Sequence, residues 1–336
     1  MGESGPHDGG SGGGGGGGSG GDSGGGGGSG GGGSGGAGPA VPAPDVLICA
    51  GLDPSGGAGL IADVRIASAV GVRPVGVVTA LTVQSTQGVR SVHPAEAEVI
   101  GAQLADLLSD IEVRGVKLGM LGSLEVARAI ADGLHLTAAP VVWDPVGAPS
   151  LGDVAFDRDR FGELLRALGP HLTLITPNAG ELAALAGRSI GDLDELAAAA
   201  RELAGQLGVA VLAKGGHLGG AGALSPEGLS PGSLSPGSLS PGALSPEGLP
   251  PGSLSSPESV DILAWGERGE RIEQLRGPRI AGGEHVHGTG CALSTAIAAH
   301  LALGAGLVDA CRVAKALVAA RIAAPVRPGR GASAIV

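Results

Sequence analysis

The chain has 336 residues, a net charge of −11 at pH 7 and very few aromatic side chains. This balance argues against nucleic acid as a partner, because no basic stripe or aromatic stacking surface appears. No stretch is long and apolar enough to span a bilayer, and the three cysteines lack the paired spacing of a zinc site or a disulfide framework, so we expect a protein of the reducing cytoplasm with no membrane partner.

Two segments are predicted to lie outside the folded part. Residues 1–44 are dominated by Gly and Ser, and residues 219–258 repeat a Leu-Ser-Pro unit. Neither composition buries enough apolar surface to offset its ordering entropy, so we predict disorder in both, with a short-period solenoid as the alternative for the repeat. The predicted organisation is one domain over residues 45–336, interrupted by the repeat. The N-terminus also lacks the charged and apolar regions of a signal peptide.

Short apolar runs alternate with helical patterns in the remaining sequence. In chain order, the predicted elements are a strand at 45–50, a helix at 60–70, a strand at 75–81, a helix at 95–109, a strand at 115–119, a helix at 124–134, strands at 140–144 and 172–176, a helix at 193–207, a strand at 209–213 and antiparallel edge strands within 262–280, before closing helices. This alternation predicts an α/β fold with a mostly parallel sheet covered by helices on both faces.

The polar and glycine-rich segments fall at the predicted ends of the strands. Asp53 lies in a glycine-rich loop after the first strand, and Asp144, Asn178 and Lys214 follow later strands. In open α/β sheets, ligands bind beyond the carboxyl ends of the strands. This placement favours an enzyme whose site lies at that edge of the sheet.

Each of these side chains has a functional and a purely structural interpretation. Asp144 can hold Mg²⁺, or it can start an Asx turn before Pro145. Asn178 and Glu181 can form a capping box at the start of a helix, or they can lie near Mg²⁺ mostly through water, and the two interpretations are compatible. Lys214 can neutralise nucleotide phosphates, or it can be an exposed residue of a plain turn.

The segment His287-Gly288-Thr289-Gly290-Cys291 runs directly into a helical sequence. Consecutive N–H groups at a helix start bind anions, and Cys291 would place an ionisable group beside the bound anion. The pattern favours phosphoryl transfer, with an ordinary tight turn and a small buried Cys as the structural alternative. The sequence contains no Walker A motif, GxSxG elbow or HExxH helix, so a kinase built on this motif is not a P-loop kinase.

Seven blocks, in order along the chain, carry a resemblance to a known family. The blocks are residues 51–59 (GLDPSGGAG), 79–89 (TALTVQSTQGV), 117–122 (KLGMLG), 144–146 (DPV), 176–178 (TPN), 214–217 (KGGH) and 287–291 (HGTGC). Together they resemble the hydroxymethylpyrimidine/phosphomethylpyrimidine kinases of thiamine biosynthesis, members of the ribokinase-like superfamily. The resemblance covers nearly all of the folded part and implies a ribokinase-like three-layer α/β/α sandwich with a mostly parallel central sheet.

The resemblance implies a kinase that uses ATP and Mg²⁺ to phosphorylate 4-amino-5-hydroxymethyl-2-methylpyrimidine, and then its monophosphate to the diphosphate. It also implies a homodimer. Cys291 resembles the family's catalytic Cys, and we expect the helix start to lower its pKa towards thiolate. The implied sites are catalytic (Cys291, Gly288, Thr289, Gly290), pyrimidine-binding (Asp53, Ala58, Val83, Gln84, Met120, Val146), ATP- and phosphate-binding (Lys214, Gly216, Asn178, Thr289) and magnesium-binding through water (Asp144, Glu181).

The chain departs from the family pattern at two positions that bear on turnover. Leu52 stands where the family usually has a polar residue, and Ser150 stands where it usually has a Lys. Loss of that cation would weaken the second phosphorylation most, because its acceptor already carries a phosphate. Two alternatives remain: a pyridoxal or thiazole kinase of the same superfamily, which Gln84 and Met120 disfavour, and a catalytically impaired pyrimidine-binding paralogue, which an intact Cys291 disfavours.

Overall fold

The computed structural model describes residues 42–146, 158–216, 218 and 258–335. The tail up to residue 41, the repeat over 219–257, Ser150 and His217 lie outside the described residues. Residue 258, which the sequence analysis assigned to the repeat, is instead the first residue of a strand and pairs with Pro278. The repeat therefore ends one residue earlier than predicted.

A nine-stranded sheet forms the centre of the domain, with the strand order β3-β2-β1-β4-β5-β6-β7-β8-β9. Its strands are β1 (Asp45–Leu52), β2 (Arg73–Ser85), β3 (Gly88–Pro94), β4 (Val113–Leu118), β5 (Val141–Trp143), β6 (Leu174–Ile175), β7 (Ala210–Ala213), β8 (Glu258–Trp265) and β9 (Arg271–Pro278). Six strands run parallel, whereas β3 pairs antiparallel at one edge and β8 and β9 at the other. A separate parallel pair joins β10 (Val286–His287) to β11 (Ser333–Ala334).

Helices cover both faces of the sheet and complete the predicted three-layer α/β/α sandwich. They are α1 (Gly59–Val70), α2 (Ala97–Asp110), α3 (Leu124–Leu134), α4 (Arg158–Leu168), α5 (Ala179–Ala186), α6 (Leu193–Leu207), α7 (Thr289–Ala302) and α8 (Leu307–Ala323). One apolar core lies between the sheet and α2–α6, and a second lies between the sheet and α1, α7 and α8. Among the helices of the described residues, none combines the length and apolar character needed to cross a membrane.

Local sequence signals explain why two helices begin and end where the sequence predicts. Ser123 caps α3 and Asp192 caps α6, each by accepting a hydrogen bond from an N–H of the first turn. Helix α6 ends at Gly208, whose φ of 65° favours glycine. The predicted bounds 124–134 and 193–207 are confirmed.

Several features differ from the predicted elements, among them helix α4, which the sequence analysis did not predict. Strand β2 extends to Ser85 and turns into β3 through a hairpin that the sequence analysis missed, since its turn lacks the Asn-Gly or Asp-Gly signal. Strand β6 is only two residues long, because Pro177 follows closely and has no N–H to donate to a neighbouring strand. The chain's last element is β11 rather than a helix.

Candidate active site

A cleft with a volume of about 320 Å³ lies at the carboxyl ends of the parallel strands. Its size is within the range of small-molecule sites. All but one of the site residues implied by the sequence line this cleft: Asp53, Ala58, Gln84, Met120, Asp144, Val146, Asn178, Glu181, Lys214, Gly216, Gly288, Thr289, Gly290 and Cys291. The fold thus brings together residues that are up to 238 positions apart in the chain.

Val83 is the exception. Successive side chains of a strand point to opposite faces, and its neighbours Thr82 and Gln84 both line the cleft. Val83 therefore faces away from the cleft, and it is 42% exposed. Among the pyrimidine-binding residues that the resemblance implies, Val83 therefore does not belong to the wall of this cleft.

The start of helix α7 forms one wall of the cleft. Gly288 is its N-cap, with a φ of 87°, and a Cβ at this position would collide with the carbonyl oxygen of Gly57. Only glycine fits such a backbone at so close an approach. A Cβ at Gly290 would lie 3.2 Å from both the Asp144 Oδ2 and the Lys214 Nζ. The first turn of α7 consequently lies directly against a carboxylate and an ammonium group.

Asp144 and Lys214 form an ion pair beyond the ends of β5 and β7. The Lys214 Nζ donates to the Asp144 Oδ1 at 2.8 Å, and the Thr176 hydroxyl donates to the same oxygen at 3.1 Å. Burial alone would lower the pKa of Lys214, but the carboxylates of Asp144 and Glu181 outweigh it and raise that pKa. Lys214 is therefore a charged, mostly buried residue, and the interpretation of an exposed turn residue is wrong.

Asn178 and Glu181 form the capping box that the sequence predicts. The Asn178 Oδ1 accepts from the Glu181 N–H at 2.8 Å, and the Glu181 Oε2 accepts from the Asn178 N–H at 2.7 Å. Both residues also line the cleft. The capping role is thus confirmed, and it leaves the two side chains beside Asp144 and Lys214.

The thiol of Cys291 lies in the first turn of α7, where the sequence analysis expected a lowered pKa. Burial instead raises the pKa of Cys291 to about 11; the Lys117 charge lowers it, and the carboxylates of Asp63 and Asp144 raise it further. That expectation was wrong, because a helix terminus acts over one turn, whereas loss of hydration and two nearby carboxylates act on the same thiol. In the ligand-free protein Cys291 is predominantly the thiol at neutral pH.

Four polar side chains meet at another end of the cleft, among them that of the residue that precedes the N-cap of α7. The Gln84 amide lies 3.3 Å from both the Thr82 hydroxyl and the His287 Nε2, and the His287 Nε2 lies 3.5 Å from the Asp53 Oδ2. Burial opposes ionisation of Asp53, but hydrogen bonds from His287, Ser55 and the chain at 55 and 58 hold its pKa below the usual range. The His287 Nδ1 is buried without a partner. This end of the cleft can offer both donors and acceptors to a polar ring.

The structure adds three cleft residues that the sequence reasoning missed. His287 stands in the HGTGC block, but its approach to Gln84 depends on a contact 203 positions apart in the chain. Lys117 is fully buried and bonds to Asp63. Lys315 bonds to Asp261 at 2.6 Å, and Asp261 accepts from the Gly215 N–H beside Lys214. No local pattern identifies such pairs, which are made by packing between distant elements.

The carboxylates of the cleft bear on metal binding. Across the described ranges of the chain, no group of three or more His, Cys, Asp or Glu side chains could hold a metal ion. Asp144 and Glu181 nevertheless lie in one cleft beside the Lys214 ammonium. Mg²⁺ in phosphoryl-transfer sites takes one or two carboxylates, several waters and phosphate oxygens, so this donor set fits Mg²⁺ that arrives with a nucleotide.

Comparison with known proteins agrees with this geometry. A family model described as phosphomethylpyrimidine kinase matches residues 53–229 and 251–335. The hydroxymethylpyrimidine/phosphomethylpyrimidine kinase of Rhizobium meliloti (strain 1021) is 36% identical over 290 residues, which cover 85% of this chain and 94% of that protein.

Two solved structures share the fold. A pyridoxal kinase from Staphylococcus aureus in complex with ADP has a TM-score of 0.69 and 24% identity, covering 88% of this chain and 94% of that one. Its likeness concerns the fold alone. A phosphomethylpyrimidine kinase from Clostridium difficile 630 has a TM-score of 0.61 and 29% identity, covering 83% of this chain and 99% of that one.

Proposed function

The chain belongs to the phosphomethylpyrimidine kinase family, and from this premise we propose that it phosphorylates 4-amino-5-hydroxymethyl-2-methylpyrimidine with ATP, and then the monophosphate to the diphosphate, for thiamine biosynthesis. One observation carries the proposal. The start of α7, with Cys291, lies against the Asp144–Lys214 pair, and the same cleft also holds the Gln84–His287 cluster. A phosphate-binding end and a polar ring-binding end thus share one cavity.

The ring-binding end accounts for recognition of the acceptor. Gln84 both donates and accepts hydrogen bonds, which suits the amino group and ring nitrogen of an aminopyrimidine. Met120 and Val146 supply apolar surface in the same wall. A pyrimidine held between them directs its hydroxymethyl group towards the start of α7.

The phosphate-binding end accounts for the chemistry. The hydroxymethyl oxygen attacks the γ-phosphorus of ATP, the bond from that phosphorus to the bridging oxygen breaks, ADP leaves, and the thiolate form of Cys291 takes the hydroxyl proton. The N–H groups of residues 288–291 and the Lys214 ammonium stabilise the negative charge on the transferred group. Asp144 and Glu181 would hold Mg²⁺, mostly through water, and the bound ion would neutralise phosphate charge.

The same premise extends to the protein as a whole. All three cysteines are free thiols in the structure, which fits the reducing cytoplasm that we propose as its compartment. We also propose a homodimer, and one kinase domain over residues 45–336 that is interrupted by the repeat and preceded by a tail without a catalytic role.

A direct assay tests the function. The purified full chain is incubated with Mg²⁺ and ATP, and with the hydroxymethyl pyrimidine, pyridoxal or the hydroxyethyl thiazole as acceptor, and phosphorylated products are separated by chromatography. We expect turnover of the pyrimidine and of its monophosphate. Faster turnover of pyridoxal or the thiazole, or pyrimidine binding without product, would contradict the proposal. The Cys311→Ala variant is the control for loss of a buried cysteine outside the cleft.

A further inference from the structure

Three polar side chains form a hydrogen-bonded cluster beneath the start of α7. Asp63 of α1, Lys117 of β4 and Thr295 of α7 are each 0% exposed. The Lys117 Nζ donates to the Asp63 Oδ2, and the Thr295 Oγ1 donates to the Asp63 Oδ1 at 2.7 Å. We call these three residues the buried cluster. It ties together two helices and a central strand at the point where the cleft is deepest.

The buried cluster contributes little to the stability of the fold. Removing two charges from water costs several kcal/mol per ion, which their attraction repays only in part. Apolar side chains of similar volume would fit the buried half of β4, where Lys117 lies between the apolar residues Val116 and Leu118. The ion pair therefore points to a role in the site rather than in stability.

The orientation of the pair gives it an electrostatic direction. Lys117 lines the cleft, and Asp63 lies behind it, outside the cleft wall. A Cβ at Gly119 would lie 2.8 Å from the Lys117 Nζ. A glycine at this position therefore leaves room for the ammonium group beside the backbone. Thr295 is four residues after Cys291, on the same side of α7. The positive end of the pair thus faces the cleft and the first turn of α7.

From this arrangement we propose that Lys117, oriented by Asp63 and Thr295, is a positioning residue that stabilises negative charge on Cys291 and on the group transferred at the start of α7. The proposal rests on the function proposed above and deepens it. Its cation is distinct from Lys214, whose ammonium is already paired with Asp144 at 2.8 Å.

Four charged groups surround Cys291, and Lys117 is one of them. Lys117 approaches from β4, Asp63 from α1, Asp144 from the end of β5 and Lys214 from the end of β7. Burial alone would lower the pKa of Lys117, but the Asp63 carboxylate outweighs it and raises that pKa, so the ammonium keeps its proton. Of the forces on the Cys291 thiol, the Lys117 charge is the largest one that favours the thiolate.

The test removes both charges together. In the Lys117→Met/Asp63→Leu variant no charge is left unpaired and only the Thr295 hydroxyl loses its acceptor, so the domain should fold with a moderately lower melting temperature than the parent. The control is Arg73→Met/Asp45→Leu, which removes an ion pair at the other end of β1 and β2. Alkylation of Cys291 by iodoacetamide is followed against pH by peptide mass spectrometry, which separates it from Cys49 and Cys311.

We expect the double variant to shift the alkylation profile of Cys291 upward, because the lost Lys117 charge favours the thiolate more strongly than the lost Asp63 carboxylate opposes it. We also expect it to lower kcat by roughly ten- to a hundredfold while both Michaelis constants stay nearly constant. The Arg73→Met/Asp45→Leu control should keep the profile and kcat of the parent. Lys117→Met/Asp63→Asn removes the same two charges but keeps an oxygen that can accept from Thr295, so it should shift the profile in the same direction and serves if the first double variant does not fold.

An unchanged alkylation profile overturns the proposal, whether kcat is retained or falls together with the melting temperature. A purely structural role of Lys117 would leave the ionisation of the Cys291 thiol unchanged. The alkylation measurement needs no substrate. If the parent enzyme fails to phosphorylate the pyrimidine, the proposed function fails, but a shifted profile in the variants still supports the action of Lys117 on Cys291.

Discussion

Replacing Cys291 with alanine while the pH is varied tests the proposed base and its environment in one experiment. The pKa of about 11 means that roughly one thiol in a thousand is ionised near pH 8. If the thiolate accepts the substrate proton, kcat/KM for the pyrimidine should rise about tenfold for each pH unit through the neutral and mildly alkaline range, because the pKa of the free enzyme lies above that range.

The alanine variant should lose the pH slope and about 10²–10⁴-fold in kcat/KM. The remaining activity reflects the phosphate-binding groups at the start of α7 and Lys214. The matched control is Cys311→Ala, since Cys311 is also a buried thiol, lies on α8 and is absent from the cleft wall. This control should keep both the slope and the rate.

The assay measures ADP release at saturating ATP and at pyrimidine concentrations below the Michaelis constant, from pH 7 to pH 9. Product analysis confirms that phosphate reaches the pyrimidine, and the melting temperature at each pH confirms that the fold persists. A flat profile in the parent enzyme, or the same slope in the Cys291→Ala variant, refutes the reasoning that assigns proton transfer to this thiol.

Three further predictions follow from the cleft and the low-complexity segments. Gln84→Ala should raise the Michaelis constant for the pyrimidine by roughly 5- to 150-fold, since about 1–3 kcal/mol is lost when buried polar groups are left unpaired, and a larger rise for ATP would place Gln84 at the wrong end of the cleft. Deleting residues 2–40 and replacing 219–257 with a short Gly-Ser linker should leave melting temperature and activity nearly unchanged, because each doubling of loop length costs only about 0.6 kcal/mol; a large loss of activity would identify the repeat as a functional lid. Ser150→Lys should speed phosphorylation of the monophosphate more than that of the unphosphorylated pyrimidine, because the added cation offsets the extra negative charge of the monophosphate. If the parent protein and the Ser150→Lys variant have equal rates with each acceptor, this cation is not needed.

Local sequence patterns predict the layers of the fold and most of the residues that line the cleft. Apolar strands alternate with helical segments, and each polar block directly follows a strand, so the parallel arrangement alone brings Asp53, Asp144 and Lys214 to one edge. The sequence likewise predicts the capping box at 178–181, because its two partners lie three positions apart. Such features depend on spacing within a few residues or on the general behaviour of parallel sheets.

Contacts between distant segments were decided only by the tertiary structure. Burial sets the pKa of Cys291, and burial depends on how α1, β4 and α7 pack around it rather than on the helix start that the sequence displays. The sequence predicts only that Lys117 lies in a strand. Its partner Asp63 is 54 residues away in the chain, so no local pattern predicts the ion pair. Val83 faces away from the cleft because side chains alternate along β2, in a hairpin that no turn signal predicts. Desolvation, register and ion pairing depend on the whole packed domain, whereas sequence patterns record only neighbours along the chain.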